Sequence, residues 1–565
     1  MAELTGGQFV ARILKEEGVE FAAGVHGGHI WGLLQPIFGE QGIRMIHCRH
    51  EQSGAYIADG WGRVTGLPGV CFGTAGPGLF NMVSGLSHAY LCRSPVVALV
   101  GQHGTLEDGR TPFQEGYAED TCKSFTKWTK RIVHIGQISY FVQRAFRDAA
   151  AYPPGPVVIE LPTNIIGQKA DENAQPGYLP KENYAEPKEG GGDSVTVEKV
   201  VRMLLEAERP IIIGGDGIHY SKAQDELKEF VELLRIPVHT RRMGRGSVPE
   251  DHPLAFTGAY RRPILNNADV IAIFGLRMGF LEHFGDPPTY SHKARYILVS
   301  ESRDDLDARV PAEVRLLADP KIVLKQMIDC AKDLMKKPPE RKEWLDEVTK
   351  AKEAAQEATR EQVEGVRNNH PIHPHFLAQE VVNVADNDAT FILDGYTLAG
   401  FSTDKIVARF SGQILDSGTQ GGVGHGVGMG IGAQLARPGK QVVPLLGDGG
   451  IGVTGFDVET AARNNLPIVY VLFNNSGWMS LQRQKEALPI KDSWGMLPDI
   501  RYDEIFERMG CHGEFVTQPE QMRPALERAF NSGKTSVINI IPDDRPTAPQ
   551  TFARIREVTG REVRE

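Results

Sequence analysis

Residues 447–475 read GDGGIGVTGFDVETAARNNLPIVYVLFNN. The apolar run Gln441–Leu446 before them reads as a buried strand, and Gly447-Asp448-Gly449 ends it. A crossover helix is expected from about Gly455 to Asn464, and the strand Ile468–Phe473 then delivers Asn474-Asn475. A right-handed strand–helix–strand unit sets the two strand ends side by side, so Asp448 and Asn475 can face one ion. Both offer hard oxygen ligands, which suit Mg²⁺ at ~2.0–2.1 Å together with phosphate oxygens. Gly447, Gly449 and Gly450 leave room for backbone N–H groups to approach a diphosphate beside a helix N-terminus. Either fragment alone would read as a turn. Separated by 24 residues within one strand–helix–strand unit, they read as a phosphate and metal site. No G-K-[ST] follows the glycines, so this is not a Walker loop.

Outward from that stretch, short apolar strands alternate with amphipathic helices, which is the pattern of parallel sheets covered by helices on both faces. The expected architecture is α/β, with three doubly wound parallel-sheet domains. Residues 1–185 form the first with its linker, 190–350 the second, and 371–545 the third, followed by a polar tail over 546–565. Residues 167–193 are rich in Gly and Pro and read as a surface linker, and 333–370, dominated by Lys, Glu and Ala, as a solvated helical connector. The first and third segments share an order of small-residue helix, turn, strand and glycine turn. Where one carries Thr74-Ala75, the other carries Asp448 at the carboxyl end of a strand, where open sheets bind ligands.

Composition narrows the class further. The chain has 565 residues, 41% hydrophobic and 24% charged, with a formal net charge of −10. That balance is ordinary for a globular protein and opposes nucleic-acid binding. The six cysteines have no C-x-x-C spacing and read as reduced, mostly buried thiols. The N-terminus lacks the pattern of a secretory signal, and the longest apolar runs are far too short to span a membrane. A soluble cytoplasmic protein is expected.

The GDG and NN motif resembles that of the thiamine-diphosphate-dependent enzymes. By that resemblance the metal ligands are Asp448, Asn475 and the backbone carbonyl of Gly477, and the cofactors are thiamine diphosphate and Mg²⁺. The segment Cys48-Arg49-His50-Glu51 resembles the family's catalytic glutamate, which exchanges a proton with the cofactor's aminopyrimidine ring. Without the second motif, Glu51 would read as an acidic residue at a helix start. Gly421, Val423, Tyr396 and Trp478 join Glu51, Gly447, Gly449, Gly450 and Asn475 as cofactor contacts. Val423 takes the place of the bulky residue that bends the cofactor. The glycine-dense run 418–434 is expected to pack against the cofactor. In this family the glutamate and the diphosphate site come from different subunits, so the resemblance implies a homodimer as minimal unit, paired into a homotetramer.

Within the acetohydroxyacid-synthase-like group, TGGQFVARILKEEGVEFAAGVHGGHI, RHEQSGAYIADGWGR and TPFQEGYAEDTCKSFTKWTKRI resemble the benzaldehyde lyases. The resemblance gives His29 the role of proton shuttle and Gln114 that of hydrogen-bonding a substrate hydroxyl. It implies a lyase or carboligase acting on 2-hydroxy ketones through an ylid and an enamine. Gly28, Ala399, His425 and Trp478 are pocket positions, and the first three depart from the benzaldehyde-lyase pattern. His425 reads equally as a polar substrate contact or a packed side chain. The alternatives are a decarboxylating synthase of 2-oxo acids and a 2-hydroxyacyl-CoA lyase, for which Arg241, Arg242 and Arg245 could form a basic cleft. Gly214-Gly215-Asp216-Gly217 is too short a signal to assign FAD. A non-catalytic cofactor-binding protein would be expected to lose Glu51 or a metal ligand, and this chain keeps them.

Overall fold

The computed structural model describes residues 3–172, 190–395, 397–478 and 495–546. A short antiparallel pair, β1 (Glu3–Thr5) and β8 (Lys169–Asp171), ties the two ends of the first domain together. Its sheet holds β2 (Phe21–Gly24), β3 (Arg44–His47), β4 (Gly69–Gly73), β5 (Val96–Gln102), β6 (Trp128–Arg131) and β7 (Pro156–Pro162). The second sheet holds β9 (Pro210–Gly214), β10 (Val238–Thr240), β11 (Val270–Phe274), β12 (Arg295–Ser300) and β13 (Ala312–Leu317). The third holds β14 (Thr390–Leu393), β15 (Ile414–Asp416), β16 (Val442–Gly447), β17 (Val469–Phe473), β18 (His512–Val516) and β19 (Ser536–Ile540). All pairings in these three sheets are parallel.

The first sheet runs β3-β2-β4-β5-β7-β6 and the third β15-β14-β16-β17-β19-β18. Counted from each domain's own first strand, these are the same order. The second sheet, β10-β9-β11-β12-β13, starts the same way and stops one strand short. The central strands are buried along their whole length, which is why they read as unbroken runs of Val, Ile and Leu. Helix Gly6–Glu16 opens with the capping box expected from Thr5 and Gln8 and buries Phe9, Val10, Ile13 and Leu14. The connector is a single helix, Lys342–Gly365, that buries only Trp344, Val348 and Val363.

Two expectations are corrected. The crossover begins earlier than Gly455: a helix starts at Asp448 itself and runs to Thr454, followed by a single 3₁₀ turn and helix Val458–Arg463. Glycines at 449, 450 and 452 disguise that first stretch as a loop. The glycine-dense run also does more than face a ligand. From His425 to Ala436 it is a helix lying on Glu51–Thr65 of the first domain. A Cβ on Gly432 would stand 2.1 Å from the Ile57 carbonyl oxygen, and one on Gly428 2.6 Å from Tyr56 Cβ. These glycines let two helices approach closely and join the outer domains.

Candidate active site

The carboxyl ends of β14, β15, β16 and β17 bring four turns together. Asp448, 1% exposed, accepts the Gly477 N–H on Oδ2 at 2.8 Å. Burial pushes its carboxyl up to about 6, against the pull of the Gly477, Gly449 and Asn475 backbone N–H groups. The motif's two halves therefore meet, as the strand order requires. No basic side chain pairs with Asp448 among the described residues. A Cβ on Gly449 would stand 2.8 Å from the Trp478 ring, so this half-exposed indole covers the start of the glycine turn. The second turn, 418–424, contains Gly421 and Gly424 in left-handed backbone, at φ 63° and 86°. Val423, within it, faces the Gly395 turn at the end of β14. Thr454 Oγ1 donates to the Gly424 carbonyl at 2.5 Å, fastening the second turn to the end of helix Asp448–Thr454.

The first domain supplies a second cluster at the carboxyl ends of β2, β3 and β4. Glu51 is the first residue of its helix and 8% exposed, and the Asn81 amide donates to its Oε2 at 2.9 Å. His29 is half-buried, with Nδ1 3.4 Å from Thr74 Oγ1 and its ring stacked on Phe113 at 6.0 Å. Burial lowers the His29 pKa, partly opposed by a hydrogen bond with the Gln114 side chain. Gln114 has left-handed backbone at φ 58°, and a Cβ on Gly76 would stand 2.6 Å from its carbonyl oxygen. The Gly76 turn thus shapes the loop that presents Gln114, and residues 85 apart in sequence come together.

Gly28 has open space where a Cβ would stand, and Ala399 is half-buried against the third domain's core. His425 is fully buried, stacked on His88 at 4.9 Å, with Nε2 donating to the Leu393 carbonyl at 3.2 Å. Of its two readings, this is the geometry of the packed side chain, and it removes His425 from the substrate-pocket positions. Tyr396 lies outside the described residues. Thr74, Gly76, Asn81 and Asp394 were missed in the sequence, because each acts by touching a residue far away in the chain.

Residues 4–123 match the N-terminal TPP binding domain of the thiamine pyrophosphate enzymes, 197–327 their central domain, and 402–540 their C-terminal TPP binding domain. A probable acetolactate synthase of Mycobacterium bovis is 32% identical over 545 residues, 96% of this chain and 97% of that relative. The chain belongs to the thiamine pyrophosphate enzyme family. It is a thiamine-diphosphate-dependent enzyme of the acetohydroxyacid-synthase-like group. The mouse 2-hydroxyacyl-CoA lyase 1 is 29% identical over 562 residues, 96% of this chain and 95% of that relative. For a thiamine pyrophosphate enzyme the geometry is apt. A buried, uncompensated carboxylate at Asp448 is what a divalent cation satisfies, and the glycines at 447, 449 and 450 leave backbone beside it for a diphosphate. No helix among the described residues is long and apolar enough to cross a membrane.

Proposed function

We propose that the protein is a lyase and carboligase of 2-hydroxy ketones, cleaving an acyloin into two aldehydes or joining them. The observation that carries this reading is the meeting of His29 with Gln114 beside Thr74 in a partly open turn. Both are neutral groups able to hydrogen-bond a hydroxyl and a carbonyl at once. With its pKa lowered by burial, His29 is uncharged at neutral pH and competent to take a hydroxyl proton. Thiamine diphosphate, when bound, supplies the nucleophilic carbon and the electron sink. Asp448, Asn475 and the Gly477 carbonyl would hold Mg²⁺, and Gly421, Val423, Gly447, Gly449 and Gly450 the cofactor. Glu51, oriented by Asn81, would exchange a proton with the aminopyrimidine ring. Glu51 hydrogen-bonds within its own domain. The family's arrangement makes a homodimer the unit in which Glu51 meets the partner's diphosphate site, with dimers pairing into a tetramer.

The central domain supports an unphosphorylated substrate. The three arginines that could have formed a basic cleft are already committed. Arg241 pairs with Glu282 at 2.6 Å, Arg242 with Asp416 at 2.7 Å and Arg245 with Glu250 at 2.8 Å. In the Gly214–Gly217 turn, the Gly215 and Gly217 N–H groups donate to the Phe274 and Gly275 carbonyls, so neither is left for a phosphate. A decarboxylating reading is kept alive by the synthase relative at 32% identity.

Purified protein with thiamine diphosphate and Mg²⁺, given benzoin, acetoin, pyruvate and a 2-hydroxyacyl-CoA in parallel, separates the readings. Aldehyde release from an acyloin without CO₂ is the expected result. CO₂ from pyruvate with little acyloin cleavage would contradict it and establish a synthase. Turnover of the thioester alone would establish an acyl-CoA lyase.

A further inference from the structure

Asp394 follows β14 directly, is 2% exposed, and lies where the glycine turns converge. Its own N–H donates to the Leu445 carbonyl at 2.9 Å, which pins the residue to β16. Its two carboxylate oxygens are used separately. Oδ1 accepts the Gly424 N–H at 3.0 Å, and Oδ2 accepts the Gly426 N–H at 2.7 Å. These donors belong to the cap and first turn of helix His425–Ala436, which would otherwise be left without partners in a buried place. The same carboxylate abuts the other turn: a Cβ on Gly450 would stand 3.4 Å from Asp394 Oδ1. Gly424 in turn lies against Val453 and the Gly450 carbonyl oxygen, where a Cβ would stand 2.6 and 3.2 Å away. One side chain thus sets the spacing between the turn carrying Gly421 and Val423 and the turn carrying Gly449 and Gly450.

Asp394 is wedged from behind. The His425 ring stands with Nδ1 3.6 Å from Asp394 Oδ1, held there because Nε2 donates to the Leu393 carbonyl. Behind His425 lies His88 of the first domain, whose Nδ1 is 2.6 Å from Asp59 Oδ2. All four side chains are nearly or wholly out of solvent. The carboxylate therefore cannot swing away from the glycine turns without displacing packed rings at the junction of two domains.

We propose that Asp394 is a positioning residue for the cofactor's diphosphate, holding the 421–424 and 447–450 turns at the separation that a bound diphosphate requires. The inference rests on the reading of those turns as the diphosphate site. Asp394→Asn keeps the shape but turns an N–H₂ toward one of the two backbone donors; Asp394→Ala removes both acceptors.

The test is the dissociation constant for thiamine diphosphate at saturating Mg²⁺, measured by titration calorimetry on full-length protein, with Mg²⁺-pyrophosphate as a second probe. Both variants are expected to bind each probe at least about tenfold more weakly. For Asp394→Asn, kcat at saturating cofactor should stay within about threefold of wild type, so that the loss falls on cofactor affinity. Unchanged affinity in a folded Asp394→Asn protein would overturn the inference. So would weakened binding accompanied by loss of helical circular dichroism at the binding temperature, which would make the role purely structural. If wild-type protein itself binds neither probe, the reading of the site fails first, and the two failures are distinguishable.

Discussion

Glu51 stands at the first position of a helix, nearly out of solvent, with one carboxylate oxygen tied to Asn81. Its replacement by Gln keeps the shape and the Asn81 contact but cannot exchange a proton. Turnover of Glu51→Gln is expected to fall by at least about 10²-fold while the dissociation constant for thiamine diphosphate stays within error. His29→Ala should lower acyloin cleavage by about 10²-fold and leave proton exchange at the cofactor's reactive carbon intact, as followed by NMR in deuterated water. Glu160 gives a prediction about stability. It has no exposed surface, and burial pushes its carboxyl from 4.5 up to about 7, against hydrogen bonds from the Ala118 N–H and Gln102. A carboxyl whose pKa is raised on folding penalises the folded state once it ionises. The penalty is absent below about pH 4.5, grows toward pH 7 and is complete above it. Glu160→Gln should therefore stabilise the protein by up to about 3 kcal/mol at pH 8 and change little at pH 4.5, read as the shift in apparent melting temperature. At this scale the sequence discloses residues whose chemistry is local to a motif, such as Asp448 and Asn475. Asn81, Asp394 and His88 stay hidden because their meaning lies in a partner 30 or more positions away.

The glycines of the 418–434 run show how one pattern serves two ends. Gly421 and Gly424 need left-handed backbone at the turn, whereas Gly428 and Gly432 are small so that the helix can lie on Glu51–Thr65. A run of glycines in sequence cannot separate those reasons, because both ask only for a missing side chain. Gly432→Ala should force the two helices apart and cost about 1–3 kcal/mol. Gly365→Ala, at the end of the connector helix with nothing near the added methyl, should be close to neutral. A fall in melting temperature for the first variant alone is the expected result. The early helix start at Asp448 has the same origin. Glycine is a poor helix former, yet tertiary contacts from Asp394 and Trp478 hold those residues helical.

Across the whole molecule, the repeated strand order of the outer domains was legible only as a faint echo of helix, turn, strand and glycine turn. The topology makes the echo exact in order while the ends of corresponding strands diverge in chemistry. After β4 the turn carries Thr74 and Gly76, which lie against His29 and Gln114; after β16 it carries Asp448, which meets the Gly477 N–H. We propose that these two kinds of end, Glu51 with His29 on one and Asp448 with Asn475 on the other, act on one cofactor between two copies of the chain. Glu51→Gln and Asp448→Ala subunits, carrying different affinity tags, can be co-expressed and the mixed dimers isolated. Each variant alone should be nearly inactive. The mixed dimer should regain activity approaching one intact site of two, because one of its sites combines an intact Glu51 with an intact Asp448. Mixed dimers as inactive as either parent would contradict the claim.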